Sequence, residues 1–132
     1  MIIDAENAIL GRMSVFTAKK LLSGEAVTIV NAEKAIITGD PTTTTQKYHE
    51  RRDRGTPHHG PFFPKKSNLI VRRTIRGMLP YKTNKGRDAF KKLRVYEGIP
   101  ENLKDSKFEK VAIKDIASKY ITVQTLSKSI GG

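Results

Sequence analysis

Residues 1–38, MIIDAENAILGRMSVFTAKKLLSGEAVTIVNAEKAIIT, decide the fold, because their apolar residues change period along the run. MIID is an apolar stretch of strand length, and DAEN is a turn by composition. In ILGRMSVFTAKKLLSGE, Val15, Ala18 and Leu22 share a helical stripe with Leu21 beside it, and Gly24 is placed to stop the helix. AVTIVNAE then reads as a strand from its β-branched content. KAIIT reads as another short strand or extended segment before the break at Gly39, Asp40 and Pro41. Strand, helix, strand predicts a layered α/β domain with a largely parallel sheet and right-handed crossovers.

Outward from this unit the chain turns basic. TTTTQKYHERRDR, residues 42–54, starts with four threonines that are poor in a helix interior, though one can cap the polar turn that follows. GTPHHGPFFP, residues 55–64, is an irregular surface loop, in which Phe62 and Phe63 fit either a core anchor or a stacking partner for an exposed base. RRTIRGMLPYKTNKGRDAFKKLRVYEG, residues 72–98, holds two short amphipathic helices. In the first, Val71, Ile75, Met78 and Leu79 form the apolar stripe, Arg72, Arg73 and Arg76 face away, and Pro80 closes it. Asn84 is the expected cap of the second, with Gly86, Ala89, Phe90 and Leu93 inward and Arg87, Lys91 and Arg94 along another side. A strand centred on Val95 and Tyr96 follows, then a connection over residues 98–110 and weak apolar marks at Val111, Ile113, Ile116 and Ala117. An edge strand is expected at residues 120–123, and a closing helix on Val123, Leu126 and Ile130 that ends at Gly131.

A chain of 132 residues supports one hydrophobic core, so residues 1–132 are expected to form one domain. Cysteine is absent, which excludes disulfides, thiolate catalysis and cysteine-based zinc sites. There is no apolar run of bilayer length and no basic leader, so a soluble, unexported protein is expected, cytoplasmic and without a membrane partner. The chain has 25 Lys and Arg against 13 Asp and Glu, a formal charge of +12. Residues 47–94 hold 15 basic and three acidic residues, so the whole excess lies there; the rest has ten of each. Such a field attracts phosphate backbones.

Patterns that carry catalysis are missing. There is no phosphate-binding glycine loop, dinucleotide fingerprint, HExxH or GxSxG. His49, His58 and His59 have no companion ligands, and Glu50, Asp53 and Asp88 are separated acids without a metal-ligand pattern. No metal or cofactor is expected. Zinc-finger spacing, basic zippers and RNA-recognition consensus sequences are likewise absent. A scaffold with a basic surface remains. Its candidate RNA contacts are Arg72, Arg73, Arg76, Lys85, Arg87, Lys91, Lys92 and Arg94, with Arg51, Arg52, Arg54, Lys65 and Lys66 on the loop side. Arginine suits two-pronged phosphate contacts, and lysine supplies a less directional charge. A DNA-coating or chromatin protein and a small RNA-processing enzyme are the alternative readings.

Five ordered segments, DAENAILGRMSVFTAKKLLSGE, VNAEKAIITG, RGMLP, KGRDAFKKLRVYEGIP and YITVQTLSKSIG, closely resemble the universal large-subunit ribosomal protein thirteen family in its archaeal form. The resemblance runs over nearly the whole chain. It implies a three-layer α/β/α sandwich with a mostly parallel four-stranded core sheet, to which basic helical and loop additions are attached. It also implies binding to large-subunit ribosomal RNA beside neighbouring large-subunit proteins, support of subunit assembly, and no enzymatic activity, metal or obligate homo-oligomer. Carried onto this chain, Gly11-Arg12 places Arg12 near RNA at the first helix, Arg76 to Pro80 joins apolar packing to the basic surface, and Lys85 to Arg87 adds RNA-facing positions. Relative to the bacterial pattern the chain lacks a longer amino-terminal lead-in and has YHERRDRGTPHHGPF in its middle; it also lacks the long carboxyl-terminal extension of eukaryotic cytosolic relatives.

Overall fold

The computed structural model describes residues 1–53, 64–111 and 119–131. Strand β1 (Ile2–Asp4), helix α1 (Leu10–Leu22) and strand β2 (Val27–Val30) form the predicted opening unit. A short 3-10 turn (Ala32–Lys34) leads to β3 (Ile36–Thr38) and helix α2 (Pro41–Asp53). Helices α3 (Ser67–Gly77) and α4 (Asn84–Lys91) then precede β4 (Leu93–Val95). A second 3-10 turn (Glu101–Leu103), β5 (Glu109–Lys110), β6 (Tyr120–Thr122) and helix α5 (Val123–Ser129) complete the order.

The core sheet has the order β4-β2-β1-β5, and every pairing in it is parallel. Helices flank it as in an α/β/α sandwich. Register puts Ile3, Ile29 and Val95 in one cross-strand row, all buried, whereas the adjacent row of Ile2, Thr28 and Arg94 opens toward solvent at β4. Strands β3 and β6 do not join this sheet. They pair antiparallel as a separate ribbon, Ile36 opposite Thr122 and Thr38 opposite Tyr120, so the expected edge strand finds another partner. Strand β5 lies within what reads as connection. Two parallel pairings to β1 fix it, and exposed Glu109 and Lys110 carry no apolar signal.

Tertiary packing also alters two predicted apolar stripes, rotating that of α1 and removing Met78 from that of α3. On α1 the buried residues are Leu10, Met13, Ser14, Thr17, Ala18 and Leu21, while Val15 is 44% exposed and Leu22 half-buried. The interface with α3 and α4 selects that face, and its small residues permit close approach. Gly24 does stop the helix. At φ +98° it donates to Leu21 O at 3.1 Å while Glu25 N reaches Lys20 O at 3.2 Å, a paired closure that needs a left-handed residue. On α3, Ile70, Val71 and Ile75 are fully buried and Leu79 nearly so, but Met78 is 39% exposed because the helix has ended at Gly77. The strand after α4 likewise ends earlier than expected, with Tyr96 38% exposed.

Helix α2 is not capped by a threonine, as expected, but starts from Asp40 and Pro41. Pro41 occupies its first position and Asp40 precedes it, with Oδ1 accepting from Thr42 N at 3.3 Å and Oδ2 from Thr43 Oγ1 at 3.2 Å. All four threonines therefore sit inside the helix. The loop candidates Phe62 and Phe63, His58, His59, and the apolar marks Ile113, Ile116 and Ala117 lie outside the described residues. Val111 packs partly buried against the core. Among the described residues no helix is long and apolar enough to cross a membrane.

Candidate nucleic-acid interface

Helix α3 is held by three fully buried side chains, each worth about 1.5–3 kcal/mol relative to exposure. Repulsion between neighbouring exposed guanidinium groups is about 1 kcal/mol or less in water, so the apolar stripe wins and three arginines ride on one docked helix. Arg72, Arg73 and Arg76 are all half-buried. The guanidinium carbon of Arg72 lies 4.3 Å from the centroid of the Phe90 ring, on α4, and that of Arg76 lies 4.3 Å from the Tyr81 ring, in the connection between the helices. Such contacts contribute about 0.5–2 kcal/mol each and occupy the face of the guanidinium, leaving its in-plane N–H groups for an anion.

The two helices are locked together by one close approach. A Cβ on Gly86 would overlap the carbonyl carbon and oxygen of Pro80 and stand 2.8 Å from Tyr81 N, so the turn after α3 seats directly on the start of α4. Thr83, not Asn84, caps α4. Its Oγ1 accepts from Gly86 N at 3.2 Å, because the turn at Pro80 sets Thr83 in extended conformation one residue earlier. Asn84 instead holds Arg87, whose Nη2 donates to Asn84 Oδ1 at 2.7 Å.

The remaining candidates are distributed over several faces. Lys85, Arg87, Lys91 and Lys92 are exposed along α4. Lys92 Nζ donates to Gly24 O at 3.2 Å, and Val27 N to Lys92 O at 3.2 Å, so α1 and α4, which pack together, finish at the same end of their layer. Exposed Arg12 and the Lys85, Arg87 pair therefore lie toward the other end. Arg94 leaves β4 on the sheet face opposite buried Leu93 and Val95. Lys65 runs along Gly131 at the end of α5, and its carbonyl accepts from Ser127 Oγ, while Lys66 precedes α3. On α2, Arg51 lies 5.0 Å from the Tyr48 ring centroid. Burial raises the Tyr48 phenol above its ordinary value of 10.0, and nearby Arg51 partly offsets the rise. The Arg52 side chain and Arg54 lie outside the described residues.

Asp88 is the one carboxylate within α3 and α4, and among the described residues no cation of these helices is ion-paired. Among the described residues the ion pairs join Lys20 to Glu25 at 3.9 Å, Lys104 to Glu101 at 3.9 Å and Lys110 to Asp4 at 3.7 Å, none of them on these helices. Glu50 and Asp88 are exposed on different helices, and no three His, Asp or Glu side chains are grouped as a metal would require among the described residues. Phe90 and Tyr81 are the ring partners of these arginines that periodicity did not single out. The only signal available was the pairing of arginines with aromatics, and which ring meets which arginine depends on the turn at Pro80.

A layered α/β domain that presents guanidinium groups on aromatic supports, without an ion pair among the described residues, is by class a polyanion-binding scaffold. The sequence model of the family described as Ribosomal protein L13 matches residues 1–102. Large ribosomal subunit protein uL13 of Archaeoglobus fulgidus is 47% identical over 135 residues, spanning 98% of this chain and 86% of the relative. The proteins of that name from Methanosarcina barkeri and Methanocaldococcus jannaschii are 49% and 48% identical, each alignment spanning 98% of this chain and 96% of the relative. The chain belongs to the ribosomal protein L13 family, in its archaeal form.

Proposed function

We propose that this protein is a structural constituent of the large ribosomal subunit that binds subunit ribosomal RNA and supports assembly, acting in the cytoplasm beside neighbouring ribosomal proteins. Residues 1–132 serve as one domain whose basic region, 47–94, faces RNA. The observation that carries the reading is the pair of ring-supported guanidinium groups, Arg72 on Phe90 and Arg76 on Tyr81, neither ion-paired to a carboxylate among the described residues. A phosphate meeting such a group gains a directional, charge-assisted contact, and the protein loses little side-chain freedom because the ring already orients the donor. Arg73, Lys85, Arg87 and Arg12 extend the surface to the start of α4 and α1. Contacts of this kind fix position and recognise RNA shape without reading sequence.

The role is structural and not catalytic. Family membership favours it over a DNA-coating protein or an RNA-processing enzyme. Fractionation of native extract on a sucrose gradient tests it. The expected result is near-stoichiometric recovery with large-subunit RNA through a high-salt wash. Recovery at the top of the gradient, or release at the first modest rise in salt, would contradict it.

A further inference from the structure

Phosphate binding leaves one feature of the α3–α4 surface unexplained. Between the helices lies a cleft of about 220 Å³ lined by Pro64, Leu69, Arg72, Arg73, Arg76 and Phe90. Its cations are accounted for by phosphate, but its apolar wall is not. Leu69 is 40% exposed one turn before Arg72 and Arg73 on α3, and Phe90 is only half-buried under Arg72. An exposed leucine beside charges gains nothing from a phosphate group, which stays hydrated or hydrogen-bonded. Nor can an A-form duplex reach it, since its bases are stacked inside and it offers phosphates and 2′-hydroxyls to a protein surface.

We infer that this cleft receives one unstacked RNA base, from a bulge, loop or single-stranded turn, while Arg73 and Arg76 hold the phosphates that flank it. The inference rests on the RNA-binding reading above. Three properties of the cleft match this occupant. Arg72 already forms a stacked layer on Phe90, and a planar base laid on the guanidinium continues the stack. Leu69 and Pro64 supply an apolar edge that a flat heterocycle covers. The arginines complement the two phosphates that an extruded nucleotide necessarily brings with it. The space admits one ring system and not a peptide helix, whose diameter with side chains is about 10–12 Å. The contact is to the base face, so it distinguishes an extruded nucleotide from a paired one without selecting a particular base.

The test uses the full chain and two probes with equal numbers of phosphates: a 12-nucleotide single-stranded RNA, and the same strand with every base replaced by hydrogen. The base-bearing strand is expected to bind about five- to tenfold more tightly at each salt concentration, with the same dependence on salt, since stacking and phosphate contacts are separate contributions. Leu69→Ser should reduce that preference at least about threefold, while affinity for the base-free strand and its salt slope stay unchanged; Phe90→Leu should reduce the preference too and also weaken the base-free strand, because it removes the ring under Arg72. Equal affinity for the two probes would overturn the base site and leave phosphate binding standing. A preference that survives both substitutions would also overturn it, by moving the stacking elsewhere on the protein. Binding of neither probe, or binding indifferent to salt, would instead undercut the phosphate reading itself. Circular dichroism of both variants separates loss of the contact from loss of fold.

Discussion

Helices α2 and α3 both carry arginines, yet they hold them differently. Helix α3 buries Ile70, Val71 and Ile75 and packs on α1, α5 and β4. Helix α2 buries Tyr48 alone among its described side chains, and its chief neighbour is β6. The ring under Arg51 stands three residues back on its own helix; the rings under Arg72 and Arg76 come from other parts of the chain. A cation supported by its own helix moves with that helix. One supported from a second element is fixed relative to the core, and under the proposed function it would present RNA with a preset spacing of donors. The apolar stripe beneath the charge, and not the number of charges, makes the difference.

The strongest way to break this comparison is to remove the charge. Replacing Arg73, Arg76 and Arg87 together by Gln should lower the slope of log affinity against log salt for ribosomal RNA by up to about three units, about one per residue, whereas Arg51→Gln should lower it by less than about half a unit. A filter-binding salt series reads both. Equal changes per residue would mean that the docked helix has no advantage.

Next comes the stripe itself. Ile75→Ala removes a fully buried side chain and should cost about 2–5 kcal/mol in urea unfolding, across the whole domain. Gly86→Ala sharpens the comparison further, because the added methyl would have to displace the Pro80 carbonyl. It should cost about 1–3 kcal/mol and weaken RNA binding by separating α3 from α4. Gly77→Ala, where an added Cβ meets nothing within 4 Å, is the control and should not destabilise. The smallest effect concerns the cap. Thr83→Ala should cost about 1 kcal/mol and Asn84→Ala a few tenths, and thermal melts that reversed this order would return the cap to Asn84.

Much of the fold was legible where one local cause governs one local outcome. MIID and AVTIV became β1 and β2 because short β-branched runs have few other uses, and Gly24 ended α1 because only a left-handed residue closes it that way. Expectations went astray where two causes compete. Val15 and Leu21 are equally apolar, and the neighbours of α1, not its period, chose to bury Leu21. Strand β5 was unreadable because Glu109 and Lys110 owe their conformation to hydrogen bonds with β1 and bury nothing. For the candidate site, the basic residues were visible as a composition, but their division among the α3–α4 cleft, the β4 face and, for Lys65, the end of α5 was not.

By itself the sequence determined the parallel α/β class, the concentration of the entire charge excess in residues 47–94 and the amphipathic character of α3 and α4. Period and composition are properties of neighbouring residues, so they survive without a fold. Only the tertiary structure decided that Phe90 and Tyr81 lie under Arg72 and Arg76, that Gly86 seats on Pro80, and that Lys92 reaches Gly24 and Arg94 sits on β4 and not in the lining of the α3–α4 cleft. Each of these is a meeting between elements whose approach is set by the packed core, and no local pattern encodes a distance across it.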